Sequence, residues 1–234
     1  MYRYSFKNSA SEEIKSDGNS VLIQYSLPEL IIENVTNSAG DFYRIRIPGH
    51  SSPSETGKPE LPVSSRLLVI PDEGTFAIRI SDVKSERIYP EKKGFRGLLF
   101  PVQEGEIKQD QKLRPEFAID RKIYAYTSLI KSDTVTVRKI GKVRNTTLAN
   151  LVIAPVRYNP KSNFIEVITS MKIEINFENG LTPAVKSLAG ESTLFSQSLA
   201  KGTLNYYPSE VITGYSDRPV EMILVTDTLF RKHL

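Results

Sequence analysis

The feature that most constrains this chain is a two-residue alternation of apolar and polar side chains in short segments bounded by turn residues. In residues 171–177 every second side chain is apolar, and the alternation recurs in residues 42–47 and 134–139. Successive side chains of a strand point to opposite faces, so this period predicts half-buried strands. No helical period of any length precedes Thr182. The sequence therefore predicts an all-β fold, a β-sandwich of immunoglobulin-like or jelly-roll type.

The chain divides into four predicted parts. Residues 1–20 are polar and are expected to form a mobile or loosely paired arm. Residues 21–180 are predicted to form the sandwich, with further strands at 21–25, 30–35, 66–70, 75–81 and 84–89. Residues 181–219 are predicted to be a linker and activation region, in which residues 184–201 form either one or two short helices or an irregular linker. Residues 220–234 open with a nearly all-apolar run followed by a capping threonine, which predicts a buried strand and the start of a helix.

Composition excludes several kinds of chemistry. The 234 residues contain no cysteine, so the chain has no thiol nucleophile, disulfide or thiolate metal ligand of its own. The two histidines, His50 and His233, have no identifiable acidic or metal partner and are expected to be solvent-exposed. No phosphate-binding glycine loop or regular metal-ligand spacing is present. We therefore expect neither enzymatic activity of the isolated chain nor a cofactor.

Charge and hydropathy limit the partners. The net charge of +4 is spread along the chain, and no basic run with interleaved aromatic residues indicates a nucleic-acid surface. No apolar run approaches the length of a membrane-spanning helix, so membrane insertion is not expected. The first residues lack the pattern of a signal peptide. We therefore expect either a cytoplasmic protein or a sequence that begins after its signal peptide.

Two proline-bounded motifs carry the most specific information. The first is the run Gly-Lys-Pro-Glu-Leu-Pro-Val-Ser-Ser-Arg-Leu-Leu-Val-Ile at residues 57–70. Its prolines fix their own φ angles and hold the preceding residues extended, which leads directly into a strand. The second is Ile-Ala-Pro-Val-Arg-Tyr-Asn-Pro at residues 153–160, an apolar strand that ends in a Pro-x-x-Tyr-Asn-Pro turn.

Together the two signatures resemble the propeptide of gingipain-type cysteine peptidases, family C25, over about residues 41–204. The resemblance implies a prodomain that keeps a secreted cysteine endopeptidase latent and assists its folding. The implied partner is the prodomain's own C-terminal caspase-like catalytic domain. The family's caspase-like domain opens with a strand similar to residues 220–225, so the chain is expected to end just inside that domain. The implied location is secreted or at the surface of a bacterium.

The longest polar segment between predicted strands is residues 105–121. A loop of this length in a compact domain is usually functional or disordered. The resemblance implies that it enters the catalytic cleft and offers a basic residue to the specificity pocket. Lys108 lies nearest by spacing, and Lys112 and Arg114 are nearby alternatives.

Cleavage between the prodomain and the peptidase domain is also implied by the resemblance. The corresponding region is residues 200–219, which lacks apolar periodicity and is expected to be exposed and flexible. Lys201 and Arg218 are its candidate processing residues.

Two alternative functions would each require particular residues. A β-sandwich adhesion or carbohydrate-binding module would need exposed aromatic residues, and the absence of tryptophan weakens that hypothesis. Its candidate residues are Tyr43, Tyr89, Tyr124 and Tyr126, although alternating tyrosines more often pack across strands. A hydrolase would need a carboxylate pair, and Asp110, Glu116 and Asp120 have no supporting arrangement.

Overall fold

The computed structural model describes residues 1–6, 13–52, 55–105, 116–144, 146–178 and 193–206. The described residues form mostly strands, with a four-residue helix α1 (Arg121–Tyr124) and a longer helix α2 (Thr193–Gly202). The strands are β1 (Tyr2–Ser5), β2 (Glu13–Ser16), β3 (Ser20–Ser26), β4 (Glu29–Asn37), β5 (Gly40–Arg46), β6 (Ser64–Ile70), β7 (Phe76–Ile88), β8 (Leu98–Leu99), β9 (Val135–Val143), β10 (Thr146–Ile153), β11 (Val156–Asn159) and β12 (Phe164–Phe177). The predicted all-β class is confirmed, and the immunoglobulin-like or jelly-roll type stays a prediction.

The strands of the described residues pair into three sheets. The first has the order β1-β4-β5-β8, in which only β5 and β8 pair in parallel. The second has the order β6-β10-β9. The third has the order β11-β12-β3-β2, and β7 also pairs with β12. Buried side chains from all three sheets meet in a single core cluster.

Strand β12 is the centre of the third sheet. It pairs with β11 at its beginning, with β3 at its end and with β7 along nearly its whole length. In its second half Met171, Ile173, Ile175 and Phe177 are buried, as the alternation predicted. Residues 75–81 and 84–89, predicted as two strands, form the single strand β7, with Asp82 at a positive φ of 53° where the register shifts.

The described parts of the N-terminal arm are paired rather than mobile. Both of its described segments are paired in sheets, since β1 runs antiparallel to β4 and β2 runs antiparallel to β3. Tyr4 and Phe6 are partly buried against the core, and the Phe6 amide donates to the Pro28 carbonyl at 2.8 Å. Strand pairing and the apolar contact of Tyr4 and Phe6 with the core together hold the arm.

The predicted linker is also partly ordered. Helix α2 is one of the two alternatives expected for this region, and residues 200–206 are not a free connector. The Asn205 side chain accepts from the Val69 amide at 2.8 Å and donates to the Val69 carbonyl at 2.9 Å. Leu199 and Tyr206 are buried in a small cluster with Val69 and Leu148. This segment therefore docks on β6, which is an edge strand, because the side-chain amide of Asn205 takes the place of a neighbouring strand there.

Residues 220–234, predicted as the first strand and helix of a second domain, lie outside the described residues. Among the helices that the structure does describe, none has both the length and the apolar character needed to cross a membrane.

Candidate functional site at the base of the long loop

The candidate inhibitory residues Lys108, Lys112 and Arg114 all lie in residues 106–115, outside the described part of the chain. The structure does describe the two stems that flank this segment, residues 101–105 and 116–120. The candidate site is therefore built from the groups that hold these stems.

The first signature forms a backbone template for both stems. The Gly57 amide donates to the Val102 carbonyl at 2.8 Å, and the Val102 amide donates to the Lys58 carbonyl at 2.8 Å. On the returning stem, the Asp120 amide donates to the Gly57 carbonyl at 2.9 Å. Residues 57 and 58 thus fix the chain on both sides of residues 106–115.

Gly57 is required at this point for two reasons. Its φ of +83° lies in the left-handed region, which other residues adopt only with strain. In addition, a Cβ at this position would lie 3.2 Å from the Asp120 amide nitrogen, which is itself part of the template. The glycine that opens the first signature therefore allows the returning stem to approach closely.

A glutamine side chain joins the stems directly. Gln103 Oε1 accepts from the Ala118 amide at 2.9 Å, and Gln103 Nε2 donates to the Ala118 carbonyl at 2.8 Å. The same nitrogen donates to the Pro101 carbonyl at 3.0 Å. We call this contact between Gln103 and Ala118 the stem clamp.

Aromatic side chains pack beside the stem clamp. Phe117 lies 5.2 Å from Phe42 and 5.9 Å from Phe100, measured between ring centroids. The Arg44 guanidinium lies 4.4 Å from the centroid of the Phe100 ring and pairs with Glu60 at 2.8 Å. Such packing anchors the returning stem to β5 through apolar contact as well as through hydrogen bonds.

The carboxylates considered for hydrolysis do not form a pair in the described residues. Asp120 caps α1, since its Oδ1 accepts from the amides of Lys122 at 3.0 Å and Ile123 at 3.3 Å. Asp110 lies outside the described residues, and Glu116 is exposed. No group of three potential metal-ligating side chains occurs in the part of the chain that the structure covers.

The second signature is a buried structural element. Asn163 Oδ1 accepts from the hydroxyls of Tyr43 at 2.9 Å and Tyr158 at 3.0 Å. Asn163 Nδ2 donates to the Gly97 carbonyl at 3.0 Å. Both tyrosines are fully buried, so their hydroxyls need partners within the protein, and this amide oxygen accepts from both of them.

The tyrosine network reaches the loop stems through β8. Tyr124 in α1 donates to the Leu99 carbonyl at 2.6 Å, and the Leu99 amide lies 3.4 Å from the Tyr158 hydroxyl. Burial raises the pKa of Tyr158 to about 12 and raises the pKa values of Tyr43 and Tyr124 above the ordinary range. The three hydroxyls therefore remain protonated at neutral pH and can donate hydrogen bonds. Through Leu99 and Tyr124, hydrogen bonds connect the second signature to the segment that the first signature holds.

The turn of the second signature is closed by its asparagine. Asn159 Oδ1 accepts from the Ser162 amide at 2.9 Å, and Asn159 Nδ2 donates to the Thr127 carbonyl at 3.1 Å. The Tyr-Asn pair of the signature therefore ties the β11–β12 turn both to the core and to the segment that follows α1.

The structure describes one of the two candidate processing residues. Lys201 is exposed in the last turn of α2, and Arg218 lies outside the described residues.

The expectation that His50 is solvent-exposed is wrong. Its ring is half-buried, its Nε2 lies 3.0 Å from the Tyr25 hydroxyl, and burial lowers its pKa. The hydrogen bond and the edge-on ring contact with Tyr25 of β3 hold the imidazole against the sheet.

Gln103 and Asn163 were missed by the sequence analysis. Asn163 has a φ of 44°, and a positive φ is several-fold more common for asparagine than for most residues, so its position before a strand carried a weak signal. Gln103 carried no signal, because its partner lies 15 residues away and an isolated glutamine has no pattern.

The described residues define a class of protein: an all-β scaffold in which the first signature and Gln103 fix the two stems that flank residues 106–115. The family model described as Propeptide_C25 matches residues 7–209, and the chain belongs to this family. The resemblance inferred from the two signatures is confirmed.

Curated relatives agree with this assignment. Lys-gingipain HG66 and Lys-gingipain W83, both from Porphyromonas gingivalis, are 26% identical to this chain over 213 residues. The alignment covers 90% of this chain and 12% of each relative, so the chain spans about an eighth of their length.

Two solved structures share the fold. One is described as a structural insight into zymogenic latency of gingipain K from Porphyromonas gingivalis, with a TM-score of 0.67, 22% identity, and coverage of 76% of this chain and 98% of that chain. The other is the complex of Porphyromonas gingivalis RgpB pro- and mature domains, with a TM-score of 0.67, 15% identity, and coverage of 84% and 98%.

Proposed function

We propose that this chain is the N-terminal prodomain of a secreted or surface-associated bacterial gingipain-like cysteine endopeptidase, which it keeps latent and helps to fold. The observation that carries the proposal is the match of residues 7–209 to the C25 propeptide family. The similar solved structures concern zymogen latency and a complex of pro- and mature domains, which supports the prodomain's own catalytic domain as the partner.

The proposed mechanism is occlusion of the catalytic cleft. The scaffold docks on the peptidase domain and lays residues 106–115 across the cleft. Because the stems are already fixed by the Gly57 template and the stem clamp, less chain entropy is lost on binding than for a free peptide. A segment held out of the near-attack geometry also resists cleavage.

Within that segment, a basic side chain is the proposed anchor. A lysine or arginine in a specificity pocket with a buried carboxylate gains a charge-assisted hydrogen bond, a class worth about 1.5–3 kcal/mol. Lys108 is the first candidate, and Lys112 and Arg114 are the alternatives.

Inhibition of the separately produced catalytic domain tests the proposal. The unmodified chain should inhibit, and replacement of the true anchor among Lys108→Ala, Lys112→Ala and Arg114→Ala should weaken inhibition by about ten- to a hundredfold. Lys84→Ala, an exposed lysine of β7, is the matched control and should inhibit like the parent. Thermal melting should be unchanged in all four variants.

The outcomes separate two levels of the proposal. If the unmodified, folded chain does not inhibit the catalytic domain, the prodomain function is contradicted. If it inhibits but all three loop variants match the parent, the function stands without a basic anchor, and inhibition comes from the scaffold face.

The junction with the peptidase domain remains part of the proposal. We place the linker at residues 181–219, the start of the caspase-like domain at residue 220, and processing at Lys201 or Arg218. A protease cleft binds extended chain, so cleavage at Lys201 requires α2 to unwind locally and Asn205 to leave Val69. Arg218 is followed by Pro219, which removes the amide hydrogen from the bond to be cut.

The adhesion or carbohydrate-binding alternative is not favoured. Two of its four candidate tyrosines, Tyr43 and Tyr124, are buried in the core and use their hydroxyls to hold the chain together. They are therefore not available as a stacking surface for a sugar.

A further inference from the structure

The chain that follows helix α2 lies along the open edge of β6. The Leu204 amide donates to the Leu67 carbonyl at 2.9 Å. The Asn205 side chain then accepts from the Val69 amide at 2.8 Å and donates to the Val69 carbonyl at 2.9 Å. These are the two backbone groups that a neighbouring strand would pair with. We call residues 203–206 the docked segment.

The apolar contacts of the docked segment form a cluster of their own. Tyr206 is buried together with Leu199 of α2 against Val69 and Leu148, and this cluster is separate from the main core cluster. Asn205 is 6% exposed, so its amide bonds are shielded from water. Parts of a protein with few buried contacts open locally, while the rest stays folded. The docked segment is therefore a unit that can leave β6 without unfolding of the main core.

The candidate processing residue Lys201 lies directly before this unit. Its side chain is exposed, but its bond to Gly202 is in the last turn of α2. Thr203 closes this turn, because its amide and its hydroxyl both donate to the Leu199 carbonyl, at 2.9 Å and 2.7 Å. A protease cuts such a bond only after local opening has made the chain on both sides available in extended form. On the C-terminal side of Lys201, that chain is the docked segment.

We propose that Asn205 protects the Lys201–Gly202 bond from proteolysis: while its side chain holds Val69, the bond stays closed, and release of the docked segment from β6 is the step that permits processing there. This inference rests on the proposed prodomain function and adds to it a regulatory contact within the scaffold. Exposure of the Lys201 side chain alone is then not sufficient for cleavage.

Two substitutions of Asn205 test the contact. Asn205→Ala removes both hydrogen bonds to Val69. Asn205→Asp keeps the size of the side chain, but it lacks the donor and places negative charge against the Val69 carbonyl. When closing is faster than cutting, the cleavage rate follows the population of the open form. We therefore expect both variants to be cut after Lys201 about tenfold faster than the parent chain.

A core variant separates local protection from general stability. Ile173 is fully buried in the main core cluster, away from the docked segment's own cluster. Ile173→Val lowers the stability of the whole domain and therefore its melting temperature, but it leaves Asn205 and Val69 in place. We expect the rate of cleavage after Lys201 in this variant to stay within about twofold of the parent rate.

The experiment uses the full chain and a low concentration of a lysine-specific endopeptidase, at a temperature where every variant is folded. All chains carry Lys186→Arg, so that an earlier cut at residue 186 cannot separate α2 from the preceding strands. Mass spectrometry gives the initial rate of formation of the fragment that ends at Lys201. Hydrogen exchange of the Val69 amide reports release of the docked segment in the same chains.

Each outcome decides the inference. Faster cleavage and faster Val69 exchange in both Asn205 variants, with a parent-like rate in Ile173→Val, support it. A parent-like rate in either Asn205 variant overturns it, because the bond is then protected by something other than this contact. Equal acceleration by Ile173→Val and Asn205→Ala also overturns it, because the bond then opens only when the whole domain unfolds. The prodomain function is tested separately by inhibition of the catalytic domain, so it stands if the protective contact fails.

Discussion

Gly97→Ala is expected to destabilise the domain by more than about 4 kcal/mol, a loss beyond the usual range of point substitutions. Gly97 has a φ of +78°, and a Cβ there would lie 1.7 Å from the Asp41 carbonyl oxygen and 2.5 Å from its carbon. Both are backbone atoms, so β8 must move away from β5. That movement disturbs the Phe42–Leu98 pairing and the bond from Asn163 to the Gly97 carbonyl.

The chain contains a matched control three residues earlier. Gly94 has a φ of +82°, and nothing lies within 4 Å of the position its Cβ would take. Gly94→Ala therefore bears only the left-handed backbone penalty, about 1–2 kcal/mol. Urea unfolding of the parent and both variants measures the difference. Equal losses for the two substitutions would show that close approach of β8 to β5 is not required.

Asn163→Ala is expected to cost about 2–4 kcal/mol. It removes the shared acceptor of the Tyr43 and Tyr158 hydroxyls, both at 0% exposure, and a buried polar group without a partner costs about 1–3 kcal/mol. The two hydroxyls can partly satisfy each other, which keeps the total below the simple sum. Alanine also adopts the left-handed backbone of this position less readily than asparagine.

Two controls separate these causes in the same unfolding experiment. Asn163→Gly removes the amide but tolerates the positive φ, so it should be less destabilising than alanine by about 1 kcal/mol. Asn176→Ala, on an exposed position of β12, should change stability by less than about 0.5 kcal/mol. If Asn163→Ala unfolded like Asn176→Ala, the tyrosine network would not be a stabilising element.

The strands were predictable where their pattern is local. In β12 and β3 most side chains on one face are buried and most on the other are partly exposed. This alternation of apolar and polar residues can be seen within each segment alone. The pairing of β1 and β2 was not predictable in this way. Both are four-residue strands at sheet edges, and they are held by strands elsewhere in the sequence. Their polar composition alone indicated a mobile or loosely paired arm.

The site was predictable only in part, for the same reason. The signatures at residues 57–70 and 153–160 identified the family, but their physical roles depend on distant partners. Gly57 is needed because of Asp120, and Tyr158 is held by Asn163, which also binds Tyr43 across 120 residues of sequence. Such contacts leave no periodic trace, so the groups that hold the stems could not be predicted from the sequence.

Hydrogen exchange measured by mass spectrometry distinguishes occlusion of the cleft by residues 106–115 from inhibition by the scaffold face. The chain is compared alone and bound to the separately produced catalytic domain that we propose as its partner. If residues 106–115 lie across the cleft, their amides gain strong new protection in the complex, with little change in the core strands β5 and β12, which are already protected. A complex that forms and inhibits while exchange in residues 106–115 stays unchanged would contradict the claim that this loop occludes the cleft.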